Sequence, residues 1–431
     1  MTDTREPARF GGAGEMLAYF APLTLLIYLV LPYNYLVDIS TAFMLKNHLH
    51  ATAVQVANFR LVTCIPVYLS FVFGLTRDLW NPLGMRDRGH LLIFSLATVA
   101  IFAVLAVLPL TNTGLYVGIF LAMASFRFIS AAYQGLLALV GQEKLMSGWL
   151  TVVWQTGNYI ASLAAGYAAG YVAEHLSPAA TFALFAFLAL LIGAFGVWKP
   201  ASIFRDAYDR PQAKGSDFVG DVKRLVKHRA IYAPIIIMLM FSFAPGANTP
   251  LQYYLANTLH APDAVYAQFN GLFSVSFIPN VLLYGYLCRR FALKTLMWWA
   301  MIITVPQMIP LALIHSGTEA LVMAVPMGLM GGLAVGAIYD LSIRSCPPGL
   351  QGTLMMLVEG VFQLASRGSD VLGSAIYDSN PKNGFVYCVI ATTVIYAAIV
   401  PLILLIPKHV IANADGQPNP ELDAELLAET A

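Results

Sequence analysis

Apolar runs of about twenty to thirty residues, the length a helix needs to cross a bilayer, alternate with short polar connections along nearly the whole chain. Twelve such runs are read, at about 16–43, 52–74, 90–110, 113–141, 146–173, 178–198, 230–258, 263–287, 293–314, 318–345, 350–378 and 383–407. They predict twelve membrane-crossing helices, numbered here spans 1 to 12. Runs longer than about 25 residues imply a tilt, a kink or an end that leaves the bilayer. The polar start MTDTREPARFGGAGE leads straight into span 1, which is expected to act as an uncleaved anchor.

Composition agrees with the pattern. The chain is 58% hydrophobic and 11% charged, whereas a soluble domain carries roughly 25% charged residues. So few charges cannot cover a water-facing surface of ordinary size. Of the 24 Lys and Arg residues, nineteen lie at the termini or in, or at the edge of, the even-numbered connections between spans. Positive charge stays on the cytoplasmic side, so both termini and the basic 199–229 loop are expected there, as in a multi-pass protein of a cell inner membrane. That loop divides the chain into six spans and six. The expected organisation is a cytoplasmic tail over 1–15, a six-helix bundle over 16–198, a linker over 199–229, a second six-helix bundle over 230–407 and an acidic, disordered cytoplasmic tail over 408–431.

The halves echo each other. LHATAVQVANF at Leu49–Phe59 enters span 2, and LHAPDAVYAQF at Leu259–Phe269 enters span 8, with five of eleven positions identical at an offset of 210. Upstream, LPYN and APGANTP each place proline inside a span, at Pro32 and at Pro245 and Pro250. Downstream, Gly74–His90 and Gly285–Thr295 are basic loops in matching places. A parallel two-fold repeat of six helices joined by a basic linker resembles the plan of the major facilitator superfamily. Gly74–His90 also resembles that superfamily's signature loop, filled here by Gly74, Asp78, Arg86 and Arg88. The resemblance implies a latch in which the Asp caps a neighbouring helix end and the Arg residues pair across the halves.

Within the superfamily, FMLKNHLHATAVQVANF is similar to the first loop of the folate–biopterin transporter family. SCPPGLQGTLMMLVEGVFQLASRGSDVLGSAIYD is similar to that family's Cys-Pro-Pro-Gly segment opening span 11, through Cys346, Pro347, Pro348, Gly349, Gly352, Thr353 and Leu354. Family members often carry a basic residue late in span 2, where this chain has Ser70 or a neighbour of it. The resemblance implies a folate- or pterin-like substrate.

Charges at membrane depth cost roughly 2.5–3.5 kcal/mol each on insertion scales, so they must pair or face water. Asp38 in span 1 and Arg60 in span 2 lie at similar depth and are expected to pair, as a gate or a structural bond. Arg127 sits mid-span in span 4 with Ser130 and Gln134 on its face; its guanidinium suits a carboxylate, either on substrate or on Glu359. In span 11, Glu359, Gln363, Ser366, Arg367 and Asp370 fall within about 100° of arc, and Arg367 is expected to pair with Asp370. Glu359 is a candidate proton carrier, or a structural partner of Arg127. Asn248, Gln252 and Tyr253 follow the proline break in span 7, and Trp154 and Asn158 in span 5 offer stacking and hydrogen bonds. Arg127, Gln134, Trp154, Asn158, Asn248, Gln252, Tyr253, Gln363 and Arg367 form the candidate substrate set; Asp38, Arg60, Asp78, Arg86, Arg88, Glu359 and Asp370 form the coupling and gating set.

The expected fold is an all-α integral membrane protein of twelve helices in two six-helix pseudo-repeats. The expected function is a secondary active transporter, moving a small anionic or zwitterionic organic solute by alternating access with protons as coupling ion. The alternatives are a facilitator-fold protein without transport, such as an assembly factor or sensor, and an exporter of an unrelated small molecule. No Walker motif points to ATP as direct driver, and no nucleophile–base constellation points to an enzyme. No metal, cofactor or nucleic acid is expected. The expected partners are a small-molecule substrate and membrane lipid, with the chain a monomer.

Overall fold

The computed structural model describes residues 13–51, 53–204, 218–247, 249–380 and 383–417. Among them the secondary structure is helical throughout, with no β-strand. Six helices are continuous, long and apolar enough to cross a membrane: Asp87–Val107, Asn112–Glu143, Pro178–Val197, Leu293–Leu313, Gly317–Arg344 and Gly384–Leu405. These are spans 3, 4, 6, 9, 10 and 12. Spans 5 (Ser147–His175) and 11 (Gln351–Ser379) are also single long helices.

The remaining spans are broken, at matching places in the two halves. Span 1 runs Ala13–Val30 and resumes at Tyr35–Asn47; span 7 runs Tyr232–Ser242 and resumes at Thr249–Tyr253, ending in a π-helical turn over Tyr254–Thr258. Proline explains both breaks, since it lacks the N–H and biases the preceding residue away from the helix. Span 2 is divided into Ala53–Thr63, Ile65–Tyr68 and Ser70–Leu79, and span 8 into Asp263–Val275 and Ile278–Leu287. The freed backbone groups find partners: Asn34 Nδ2 donates to the Tyr28 carbonyl at 2.6 Å, and the Gly246 amide to Thr392 Oγ1 at 3.2 Å.

The sequence repeat is a repeated backbone turn. His50 and His260 both take left-handed conformations, with φ 51° and 49°. The Ala51 amide donates to the Leu45 carbonyl and the Ala261 amide to the Leu255 carbonyl, each at 2.9 Å; Leu49 and Leu259 donate to Met44 and Tyr254. The LHA tripeptide thus closes the end of spans 1 and 7 in one geometry.

The chain forms two compact units that interleave in sequence. Unit 1 comprises Met1–Glu143, Ile160–Lys223 and Pro348–Gly360; unit 2 comprises Lys144–Tyr159, Arg224–Pro347 and Val361–Ala431. Spans 5 and 11 therefore change unit part-way along, where contiguous halves were expected. In unit 1, Phe102, Phe182 and Phe185 pack between spans 3 and 6. In unit 2, Leu251, Leu255, Phe269, Met308, Ala324 and Phe385 belong to one buried core. Gly328 and Gly332 of span 10 lie against the backbone of Phe273 and Phe277 in span 8, closer than any side chain would allow. Spans 6 and 12 turn Phe187, Leu190, Ile390 and Val394 outward, as lipid contact requires. The stretch 407–417, expected as disordered tail, is instead folded: Lys408–Ile411 is a helical turn with Val410 and Ile411 buried. The other tail acids, Glu421 onward, lie outside the described residues.

Candidate functional site

The break in span 1 places Tyr33 beside two charges of unit 1. Arg127, midway along the 32-residue helix Asn112–Glu143, is 1% exposed. Its guanidinium carbon lies 5.0 Å from the centre of the Tyr33 ring, a cation–π distance. The Tyr33 hydroxyl donates to Glu359 Oε1 at 3.0 Å. Arg127 Nη2 donates to Ser130 Oγ at 3.3 Å, while among the described residues Nε and Nη1 have no hydrogen-bond partner. Gln134, one turn further along the same face, is buried with its Oε1 unpartnered. The result is a desolvated cation with two free N–H donors, an aromatic face on one side and a hydrogen-bonded carboxylate beyond it. A buried guanidinium left in this state is costly, and its open fork is shaped for a bidentate carboxylate.

Tyr33 was absent from the sequence-derived set. Its signal was position: it follows Pro32 at a helix break, where a side chain escapes the helix face and can reach two other spans.

The other candidates of unit 1 lie elsewhere. Arg60 forms a two-pronged bond to Asp38, at 2.9 and 2.6 Å, and this pair is substantially exposed. Asp78 caps the start of span 11, accepting from the Gly352 and Thr353 amides at 3.2 and 2.7 Å and from Thr353 Oγ1 at 2.6 Å. A carboxylate is favoured at a helix N-terminus because the unpaired amides point at it. Gly74 makes the approach possible: a Cβ there would strike the Gly352 carbonyl. Of the two Arg residues expected to pair across the halves, Arg88 is placed by its contacts. Arg88 donates to the Val197 carbonyl at 2.8 Å and lies over the Phe204 ring, so it stays within its own unit at the end of span 6. Arg86 contributes a backbone turn, with φ 48° and its amide bonded to Asn81 Oδ1. The cation at Asp78 is Arg77, which also holds Asp87.

In unit 2, the expected pair of Arg367 with Asp370 is not formed. Asp370 accepts instead from the Thr249 amide at 2.9 Å and from Thr249 Oγ1 at 3.0 Å. The resumed helix of span 7 presents two donors where span 11 offers one distant cation. Arg367 is exposed. Trp154 is buried and meets the Tyr339 ring edge to face at 4.7 Å, a packing contact. Asn158 and Gln363 are half-buried, and Gln252 and Tyr253 are exposed. Asn248 lies outside the described residues.

The sequence model of the Major Facilitator Superfamily matches residues 16–366. The chain is 24% identical over 394 residues to the folate-biopterin transporter of Synechocystis sp., covering 86% of this chain and 77% of that one. It is 18% identical over 348 residues to folate transporter 2 of Plasmodium falciparum, covering 77% and 75%. Among solved structures, the superfamily transporter FucP in its outward conformation aligns with a TM-score of 0.65 at 12% identity, over 90% of this chain and 99% of that one. The human organic anion transporter TETRAN aligns with a TM-score of 0.65 at 13% identity, over the same shares. With twelve spans in two broken-helix repeats and a family match over most of its length, the chain belongs to the Major Facilitator Superfamily of multi-pass membrane transporters.

Proposed function

We propose that this protein is a secondary active transporter for a small organic anion or zwitterion of the folate or pterin kind, and that Arg127 receives a substrate carboxylate. The observation that carries the reading is the buried Arg127 guanidinium with Nε and Nη1 unpartnered. A fixed cation held out of water binds an anion without first paying to reorganise, and it rejects neutral analogues by leaving its own donors unmade. The names of the Synechocystis and Plasmodium relatives, a folate-biopterin and a folate transporter, suggest the substrate class. Folates carry carboxylates and a planar ring, matching a guanidinium and an aromatic face.

Glu359 is the proposed proton carrier. It shares the Tyr33 hydroxyl rather than the Arg127 fork, so a proton on Glu359 and an anion on Arg127 sense each other through one side chain. The distribution of Lys and Arg supports cytoplasmic termini; an inner-membrane location, alternating access and a monomeric carrier surrounded by lipid belong to the same proposal.

The test is uptake of labelled folic acid into proteoliposomes. Arg127→Ala is expected to abolish uptake while the protein still inserts. Arg127→Lys is expected to restore little, because a point charge does not replace the fork. Wild-type uptake by Arg127→Ala removes this residue from the site. Uptake of neutral pterin but not folic acid by the wild type rejects the carboxylate assignment.

A further inference from the structure

The most connected part of the described tail is a segment that substrate recognition does not use. After span 12 the chain turns back and bonds to residues of its own unit, unit 2. The Asn413 carbonyl accepts from Arg344 Nη1 at 2.7 Å, and Asp415 Oδ1 accepts from Arg344 Nη2 at 2.7 Å. Asp415 Oδ2 accepts from the Trp149 amide at 3.1 Å, in the first turn of span 5, and Ser147 Oγ lies 3.3 Å from Oδ1. The Asp415 amide donates to the Cys288 carbonyl at the end of span 8, and the Gly416 amide to the Leu145 carbonyl just before span 5. Asp340 of span 10 completes the cluster, accepting from Ser147, Tyr284 and Arg344. The Asp415 side chain is 4% exposed.

The internal repeat says what this cluster replaces. In the first half, Asp78 caps the start of span 11 from the last turn of span 2. The matching glycines are Gly74 and Gly285, 211 residues apart, and the same step from Asp78 falls on Arg289. The second half thus has no carboxylate at the matching position to cap the start of span 5. Gly148 and Gly285 nevertheless keep the close packing: a Cβ on Gly148 would meet Cys288 Sγ at 2.9 Å, and one on Gly285 would meet Val152 at 3.0 Å. The tail supplies the missing carboxylate from the other direction.

We propose that residues 407–417 are a clasp that ties the first turn of span 5 to the ends of spans 8 and 10, with Asp415 as its positioning residue. Span 5 begins in unit 2 and continues into unit 1 beyond Tyr159, so a clasp on its first turn bears on a helix that both units share. The clasp is proton-sensitive. Asp415 faces Asp340 and Arg344 from span 10, Cys288 from span 8 and the Ser147 hydroxyl and Trp149 amide from span 5. Burial, and then the Asp340 charge, push Asp415 up to about 7, against the pull of Arg344. An undocked Asp titrates near 3.9, so docking takes up a proton around neutrality. The docked tail is therefore favoured as pH falls and loses stability as pH rises through about 7.

Hydrogen–deuterium exchange on the purified full-length protein, corrected for the intrinsic rate, tests this without any substrate. Asp415→Ala, and separately a chain ending at Ile411, are expected to speed exchange at the amides of 147–151 about tenfold, the scale of a lost helix cap. Exchange at 352–354, capped by Asp78, is expected to stay at the wild-type rate. Wild type is expected to exchange faster at 147–151 at pH 8 than at pH 6, and Asp415→Asn to erase that difference. Unchanged exchange at 147–151 in both the Ala variant and the shortened chain overturns the clasp. Equal acceleration at 352–354 also overturns it, by showing general loosening. A pH difference that persists in Asp415→Asn overturns the proton linkage.

Discussion

Arg127 and Glu359 are joined through Tyr33, and the two functions of that side chain can be separated. Its ring faces the guanidinium at 5.0 Å, and its hydroxyl bonds the carboxylate at 3.0 Å. Tyr33→Phe keeps the ring and removes the hydroxyl; a hydrogen bond to a charged group contributes about 1.5–3 kcal/mol, so folic acid uptake is expected to slow roughly tenfold or more. Tyr33→Leu removes both contacts and is expected to slow it further. Initial rates at matched protein levels give the order, and equal rates in all three proteins would remove Tyr33 from the site. Glu359→Gln copies the protonated carboxyl in shape and charge. It is expected to lose proton-driven accumulation and keep substrate exchange, which needs no net proton movement. Counterflow beside pH-gradient uptake separates that outcome from the structural alternative, in which both activities fall together.

The two LHA turns show how an element ending is written in a few residues. His50 and His260 hold left-handed backbone, which costs an ordinary residue roughly 1–2 kcal/mol and a β-branched one more. Replacing His50 by Val is expected to lower stability by about that amount, and by Gly to leave it nearly unchanged, since Gly gives back in chain entropy what it gains in strain. Melting of the purified protein ranks the three; a Val variant as stable as wild type would mean that the turn does not depend on this conformation. The Gly74 contact is stricter. A Cβ on Gly74 meets the backbone of Gly352 and Thr353, which cannot move aside as a side chain can. Gly74→Ala is therefore expected to part Asp78 from the start of span 11, seen as faster amide exchange at 352–354.

For the molecule as a whole, the charge distribution makes a test independent of any site. Lys46 lies after span 1 and Lys223 before span 7, and both are exposed. In a background without native cysteines, Lys223→Cys is expected to react with an impermeant maleimide only after the cells are opened, and Lys46→Cys in intact cells. The reverse pattern would invert the topology. Spans 5 and 11 each carry residues of both compact units. Their first turns are where each half of the chain places a carboxylate, from Asp78 and from Asp415.

The number of spans, the repeat, the proline breaks and the charged residues of spans 4 and 11 were legible in the sequence alone. Each is a local property: hydrophobic length, a missing N–H, or the cost of a charge at membrane depth reads out within one or two helices. The Asp38–Arg60 pair was legible for the same reason, since adjacent antiparallel spans bring equal depths together. Partner choice was not. Asp370 bonds Thr249 and not Arg367, Arg77 and not Arg86 or Arg88 holds Asp78, and Tyr33 stands between Arg127 and Glu359. Those choices depend on which donors lie nearest after helices far apart in the chain have packed, and helical spacing carries no record of that. The tail was misread for a related reason. Its composition is polar and acidic, as a solvated segment would be, yet one of its carboxylates meets a partly buried Arg and a helix start that only the folded unit brings together.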